Sequence, residues 1–292
     1  MKTVGTFAEV RALAPTGSAL VPTMGYLHEG HLACIAAARS RAEVVVMSLF
    51  VNPLQFDGAA DLERYPRDAE RDAGLAETFG VDVLFAPTLE EMYPAEPSAR
   101  VRVQGVSEAM EGAHRPGHFE GVATVVTKLF AGIQPAVACF GRKDAQQLAV
   151  VGSVVRDLSF PVEVVGVSTI RETDGLALSS RNVRIADREA ALGLSRGLFA
   201  AADSAAAGER DAAALESIVI AIAGDAGAHV QYARLADRSA ATPIDFLDRD
   251  AFLAVAATIG EVRLIDNVFL SPSGEADLGM RLDRPSILYG GS

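Results

Sequence analysis

Short apolar runs alternate with longer amphipathic stretches through the first 165 residues. Ala19–Val21, Val44–Val51, Val81–Ala86, Ala136–Phe140 and Val162–Val165 have the length and composition of buried strands. Between them, His31–Arg41, Asp68–Phe79, Gly121–Ile133 and Asp144–Leu158 carry one apolar face at helical spacing and predict helices. This alternation predicts an α/β architecture, a doubly wound parallel sheet with helices on both faces. Ligands of such sheets bind beyond the carboxyl ends of the strands. Met24-Gly25, Asn52-Pro53 and Gly141-Arg142-Lys143 each fall just past a predicted strand end, so the pattern gathers them on one edge.

The texture changes after about residue 172. Residues 187–223 are alanine-rich and charged, an amphipathic helical stretch broken at Gly208. His229–Leu235, Phe252–Ala257 and Val262–Phe269 read as strands, the last two joined through Thr258-Ile259-Gly260-Glu261 as a hairpin. This half is a smaller α+β domain, with the boundary placed between residues 171 and 172. From Ser271 onward the spacing of Gly, Pro and Ser predicts a mobile tail.

Composition narrows the function. The chain of 292 residues has 38 acidic against 26 basic side chains, a formal net charge of −12. That balance repels a nucleic-acid backbone and weighs against a tRNA or DNA partner. An anionic substrate must then find local positive charge, which makes each Lys and Arg inside a motif informative. The two cysteines, Cys34 and Cys139, stand in apolar surroundings and predict buried reduced thiols. The first residues contain no apolar core of a secretion signal, and Val44–Val51 is far too short to cross a bilayer. A cytoplasmic enzyme without a membrane partner is expected.

Candidate chemistry concentrates at Val21-Pro22-Thr23-Met24-Gly25-Tyr26-Leu27-His28-Glu29-Gly30-His31. A strand end and a glycine turn lead into a helix whose start carries two histidines three residues apart. A helix N-terminus favours anions, and Gly30 would let a ligand approach the backbone N–H groups. Imidazoles at i and i+3 share a face and can aim N–H donors at one phosphate. Surface histidines or zinc ligands are the alternatives. Zinc-protease helices space their histidines by four, and no cysteine cluster or third histidine lies nearby.

The motifs continue in order: Phe50-Val51-Asn52-Pro53-Leu54-Gln55-Phe56, Tyr65-Pro66-Arg67-Asp68, Gly117-His118-Phe119-Glu120-Gly121-Val122, Gly141-Arg142-Lys143-Asp144-Ala145-Gln146-Gln147, Gly175-Leu176-Ala177-Leu178-Ser179-Ser180-Arg181-Asn182 and Val262-Arg263-Leu264-Ile265-Asp266-Asn267. Together with the His28-Glu29-Gly30-His31 segment, this series resembles the pantothenate synthetase (pantoate–beta-alanine ligase) family of the nucleotidyltransferase superfamily with the H-x-G-H motif. The resemblance runs over nearly the whole chain. It implies a Rossmann-like domain over residues 1–171 that binds ATP and pantoate, and a domain over 172–292 that closes over the active site. The implied reaction condenses pantoate and beta-alanine through a pantoyl-adenylate, releasing AMP and pyrophosphate, with Mg2+ accompanying ATP and a homodimer as the assembly.

Adenylation needs a carboxylate to attack the α-phosphate while pyrophosphate leaves, so positioning and fixed donors do most of the catalysis. The resemblance makes His28, His31, Lys143, Ser179 and Arg181 the catalytic set. Met24, Gln55 and Gln147 would form the pantoate pocket. Pro22, Thr23, Met24, Gly30, His31, Gly141, Lys143, Asp144, Ile170, Leu178, Ser179, Ser180 and Arg181 would contact ATP, and Asp72 would sit near magnesium. Each has a bland counterpart: Lys143 and Asp144 as a loop ion pair, Ser179-Ser180 as a helix cap, Arg67 and Arg115 as solvated charges.

Three places depart from the family pattern. Arg142 stands where an acid or amide is usual, Ser168 where a proline is usual, and Val183-Arg184-Ile185 replaces a tyrosine-leucine pair. None removes a named catalytic group. Two other readings compete with the ligase: a nucleotidyltransferase that leaves the nucleotide on its product, opposed by the paired glutamines, and a non-catalytic nucleotide binder, opposed by the presence of His28, His31, Lys143 and Arg181. An aminoacyl-tRNA synthetase is disfavoured by the acidic balance and the short chain.

Overall fold

Six short strands, all parallel, form the sheet of the first of two compact units. The structure is a computed structural model that describes residues 1–56, 58–94 and 98–289. The first unit takes residues 1–107, 111–141 and 150–167, and the second takes 108–110, 142–149 and 168–292. A boundary at 171/172 misses the segment 142–149, which belongs with the later residues by its contacts although it lies far earlier in the chain.

In the first unit the chain runs β1 (Lys2–Val4), α1 (Phe7–Leu13), β2 (Ala19–Thr23), α2 (Glu29–Arg39) and β3 (Val45–Leu49). A 3-10 turn at Pro53–Gln55 precedes α3 (Ala59–Arg64), α4 (Ala69–Thr78), β4 (Val83–Phe85), α5 (Leu89–Met92) and α6 (Glu111–His114). Then come α7 (His118–Ile133), β5 (Val137–Gly141), α8 (Ala145–Asp157), of which residues 145–149 belong to the second unit, and β6 (Glu163–Val167). The strand order is β1-β4-β3-β2-β5-β6. The order reverses between β2 and β5, so the crevice outside their carboxyl ends is the topological switch point. The apolar runs explain the centre of the sheet: Leu20, Val21, Val45, Val46, Met47, Phe85 and Ala138 are all buried.

Several short elements escape the hydrophobic pattern, β1 and α1 among them. β1 is a three-residue edge strand, largely exposed, that exists through its pairing with β4 (Lys2↔Val83 to Val4↔Phe85). α1 is set by a capping box rather than by periodicity: Thr6 Oγ1 accepts from Glu9 N, and the Glu9 carboxylate accepts from Thr6 N at 2.9 Å.

The second unit begins with β7 (Ile170–Arg171) and a 3-10 turn at Ser180–Arg184, then α9 (Arg188–Ala206) and α10 (Ala212–Asp225). β8 (His229–Asp237), β9 (Ala251–Ile259) and β10 (Val262–Leu270) follow, with β11 (Ala276–Asp277), β12 (Met280–Arg281) and a turn at Ile287–Tyr289. β11-β10-β9-β8 is an antiparallel sheet, with the predicted hairpin between β9 and β10. The helices cover it with an aliphatic core, among it Leu194, Leu198, Ala201, Leu215, Val219, Val255 and Leu264.

The segment from Ser271 is not the loose tail its composition predicts. β11 pairs with β10, β12 pairs in parallel with β7, and Leu288 is buried. The β7 partner of β12 lies about a hundred residues away in sequence, so turn-rich composition carries no sign of it. Residues 290–292 fall outside the described residues. Among the described residues, no helix is long and apolar enough to cross a membrane. Cys34 and Cys139 are free and buried, and burial pushes their thiols up to about 12 and about 11.

Helix α7 lies directly against the Pro53–Gln55 turn. A Cβ on Gly121 would sit 2.3 Å from Leu54 O and 2.4 Å from Leu54 C, both backbone atoms that cannot swing away. Gly121→Ala is therefore expected to destabilise the protein by about 1–3 kcal/mol, the usual penalty of overpacking a buried contact. Chemical denaturation of the two proteins checks this, and an unchanged midpoint contradicts the close packing of α7 on this turn.

Candidate active site

The two histidines at the start of α2 cap their own helix. His28 occupies the N-cap position, its Nδ1 accepts from Gly30 N at 3.1 Å, and His31 Nδ1 accepts from His28 N at 3.2 Å. This is the reciprocal geometry of a capping box, built from two imidazoles instead of a hydroxyl and a carboxylate. The ring centroids are 4.2 Å apart. Since each Nδ1 accepts a backbone N–H, the proton of each neutral ring belongs on Nε2, the donor the ring can offer a phosphate.

The backbone N–H of Gly30 is bonded to His28, and those of His31 and Leu32 to the His28 carbonyl. Gly30 also leaves room for the ring: a Cβ there would lie 2.8 Å from His28 Cε1, displacing it.

The turn before His28 is held from below by Asp72. This side chain is 2 % exposed, and its two carboxylate oxygens accept from Tyr26 N at 2.7 Å and Leu27 N at 2.8 Å. Gly25 and Tyr26 both have positive φ, 88° and 54°, and the turn needs such a clamp to hold that conformation. Burial pushes the Asp72 carboxyl pKa up, against the pull of the two N–H groups and of Arg71. Sequence reasoning assigned Asp72 to magnesium, but here the carboxylate is committed to the backbone. Among the described residues, no group of three or more His, Cys, Asp or Glu gathers where a metal ion could sit.

Met24 and Gln55 are brought together, with Gln55 Nε2 donating to Met24 Sδ at 3.0 Å. Gln55 is buried, and its Oε1 accepts from Asn52 Nδ2 at 3.0 Å. Its main-chain oxygen is held by His118 Nδ1 at 2.7 Å and by Arg115, which donates at 3.2 Å. Arg115 is thus a support for the Gln55 turn rather than a solvated charge. Thr23 Oγ1 donates to Ser48 O and accepts from Gly25 N, fixing the end of β2.

The remaining candidates lie in the second unit, apart from Gly141, the last residue of β5. After Gly141 the chain makes a 3-10 turn over Arg142–Asp144 and enters α8. Gln147 is half-buried in the first turn of α8, whereas Gln146 is buried and donates to Ala109 O at 2.8 Å. Lys143, Ser179, Arg181, Asn182, Arg263 and Asp266 line one cleft. Lys143 Nζ is 3.9 Å from Asp144, too far for a strong pair. Ser179 does cap the turn that follows, accepting from Arg181 N at 3.2 Å, and Leu178 N donates to Ile170 O at 2.9 Å. Asn182 donates to Glu172 and to Ala177 O, and the Tyr289 hydroxyl also donates to Glu172. The Ser179–Arg181 loop therefore stands on a buried acid that sequence reasoning passed over.

Beneath both loops lies a buried ion pair. Arg171 and Asp266 are 0 % and 3 % exposed and pair at 2.7 and 3.0 Å. Arg171 also donates to the carbonyls of Gly175, Asn267 and Leu278. The two point departures from the family pattern also meet. Arg142 and Ser168 both donate to Asp277 Oδ2, at 2.6 and 2.9 Å.

Twin imidazoles at the switch point of a parallel sheet, and a cleft lined by Lys143, Arg181 and Arg263, define a nucleotide-binding α/β enzyme. Comparison with known proteins makes this specific. The sequence model of the family described as pantoate-beta-alanine ligase matches residues 2–269. The chain is 49% identical over 255 residues to the pantothenate synthetase of Citrifermentans bemidjiense, covering 86% of this chain and 91% of that protein. It aligns with the crystal structure of a pantothenate synthetase from Thermus thermophilus at a TM-score of 0.87 and 49% identity, over 91% of this chain and 98% of that one. A pantoate-beta-alanine ligase from Francisella tularensis, solved with beta-gamma ATP and beta-alanine, aligns at a TM-score of 0.77 and 30% identity, over 91% and 97% of the two chains. The chain belongs to the pantoate–beta-alanine ligase family and is an enzyme of that family.

Asp277 gives this region a pH signature. Its burial opposes ionisation, but the Gly279 N–H, Arg142 and Ser168 outweigh it and hold the carboxyl below its ordinary value. A lowered folded value means the stabilisation is present above the unfolded pKa, about 3.9, and lost as pH falls through the folded one. Asp277→Asn should be less stable than the parent at pH 7, and the two urea-denaturation curves should converge below about pH 4. An offset that persists undiminished into acid would assign the loss to something other than this carboxylate.

Proposed function

We propose that this chain joins pantoate to beta-alanine with ATP in two steps. The pantoate carboxylate attacks the α-phosphorus, the bond to the β-phosphate oxygen breaks, and pyrophosphate leaves a pantoyl-adenylate. The beta-alanine amine then attacks the acyl carbon, loses a proton, and displaces AMP to give pantothenate. In this reading the Nε2–H groups of His28 and His31 donate to phosphoryl oxygens as charge builds. Lys143, Ser179 and Arg181 hold the phosphates, with Pro22, Thr23, Met24, Gly30, Gly141, Asp144, Ile170, Leu178 and Ser180 as further ATP contacts. Met24, Gln55 and Gln147 hold pantoate, whose hydroxyl and carboxylate suit amides that both donate and accept. The observation that carries the reading is the twin-imidazole cap, in which each Nδ1 accepts a backbone N–H, in a chain of this family.

Magnesium enters as the counter-ion of ATP. It would be held chiefly by the phosphates themselves, with water completing its octahedral shell. The same family membership supports a homodimer working in the cytoplasm, without a nucleic-acid or membrane partner.

AMP release in the presence of magnesium-ATP should require both pantoate and beta-alanine for sustained turnover. Release indifferent to pantoate overturns the ligase reading, and a nucleotidyl group retained on the product points to a transferase.

Asparagine can separate the two jobs of His28. It is among the best N-cap residues, so His28→Asn keeps an acceptor for Gly30 N but removes the Nε2 donor. Its thermal melt should stay near that of the parent while adenylate formation falls by about 10²–10³. His28→Ala should lose the rate and also about 1 kcal/mol of stability. Pyrophosphate release by His28→Asn at the parent rate would reduce the residue to a cap.

A further inference from the structure

The Val262-Arg263-Leu264-Ile265-Asp266-Asn267 segment supplies no group to the reaction above, yet its last residue holds the turn that carries Lys143. Asn267 is 3 % exposed on β10, and its Nδ2 donates to two successive carbonyls, Arg142 O at 3.1 Å and Lys143 O at 2.6 Å. Both amide hydrogens are thus spent on a three-residue 3-10 turn, an element with little internal hydrogen bonding of its own. Asn267 is fixed in turn: its N–H donates to Asp266 Oδ1 at 2.7 Å, and its carbonyl accepts from Arg171 at 3.1 Å.

The other half of the side chain makes the case sharper. Asn267 Oδ1 is buried without a hydrogen-bond partner, while Nδ2 has two. Exchanging oxygen and nitrogen would set an acceptor against two carbonyls, so the amide orientation is settled by its surroundings. A buried acceptor left unpaired carries a desolvation cost of about 1–3 kcal/mol, which a leucine or valine of this apolar strand would avoid. Packing alone therefore gives no reason for an amide here. Two donors aimed at the Lys143 turn do.

We infer that Asn267 is a positioning residue for Lys143, fixing the turn that aims its ammonium along the cleft shared with Ser179 and Arg181. This rests on the reading that Lys143 meets ATP phosphates. A small displacement of a charge aligned on a reacting phosphate costs up to about 10²-fold in rate.

The test is a double-mutant cycle with Lys143→Ala, Asn267→Asp and their combination, reading kcat/KM for ATP, KM for pantoate and the thermal melt. Asn267→Asp keeps the volume and removes the donors, and Asn267→Ala serves as a second variant with no buried carboxylate. Either single change at Asn267 should lower kcat/KM for ATP by about 10- to 10²-fold with the pantoate KM little changed. In the Lys143→Ala background the same change should produce no further loss. If Lys143→Ala is impaired and the losses multiply, Asn267 acts through the fold at large and this inference alone falls. If Lys143→Ala uses ATP normally, the phosphate reading of Lys143 falls, and the inference with it.

Discussion

The buried pair between Arg171 and Asp266 is the constraint on which the second unit's functional loops depend. Two charges without water are expensive, and such a pair persists only where every remaining proton finds an acceptor. Arg171 meets that condition, reaching Asp266 through two nitrogens and the carbonyls of Gly175, Asn267 and Leu278 through its other N–H groups. A planar guanidinium with five fixed donors can join four segments at one point, which a lysine cannot. Those segments are β10, the turn at Gly175 that leads towards Ser179, the strand residue Arg171 itself, and the chain returning through Leu278. Removing one member of such a pair ordinarily costs about 3–5 kcal/mol, because the other charge is left buried alone. The consequence is specificity of arrangement: one anchor sets both the Lys143 turn and the base of the Ser179–Arg181 loop.

The first unit solves the same problem with an acid and no cation in the central role. Asp72 grips two consecutive N–H groups of a turn in positive φ, and the turn delivers His28 to the N-cap of α2. His28 then accepts from Gly30 N and His31 from His28 N, each through Nδ1, which fixes the orientation of both rings. Donors fixed before the substrate arrives need no reorganisation during reaction, and that is where electrostatic catalysis draws its strength. In both units buried polar side chains hold turns that carry candidate groups: Asp72 the turn before His28, and Asn267 the turn of Lys143.

The departures from the family pattern follow the same logic. Arg142 and Ser168 are far apart in sequence yet share Asp277 Oδ2, and Arg142 also lies over the Phe269 ring at 5.3 Å. The positive charge that Arg142 adds beside Lys143 is thereby paired, and Ser168, in place of a stiff proline, contributes a hydroxyl to the same acceptor. The Val183-Arg184-Ile185 departure has no structural explanation here.

Much of this protein was legible from its residues in order. The alternation of apolar runs gave the parallel sheet, the helices between its strands and the β9–β10 hairpin, because strand and helix periods are local properties of the chain. Motif order gave the family and a set of candidate groups at strand ends. Periodicity could not see β1, β11 or β12, which exist by pairing with other strands, nor α1, which exists by capping. Nor could it show that Asp72, placed near magnesium by the resemblance, grips the Tyr26 turn, or that Arg115, whose bland counterpart is a solvated charge, supports Gln55. Most of these roles are decided by a partner far away in sequence: 46 residues for Asp72 with Tyr26, 60 for Arg115 with Gln55, 95 for Arg171 with Asp266 and 124 for Asn267 with Lys143. The sequence determines which groups can hydrogen-bond and how each segment is inclined to fold. Which buried donor meets which acceptor is decided only when the tertiary structure removes the water that would otherwise satisfy both.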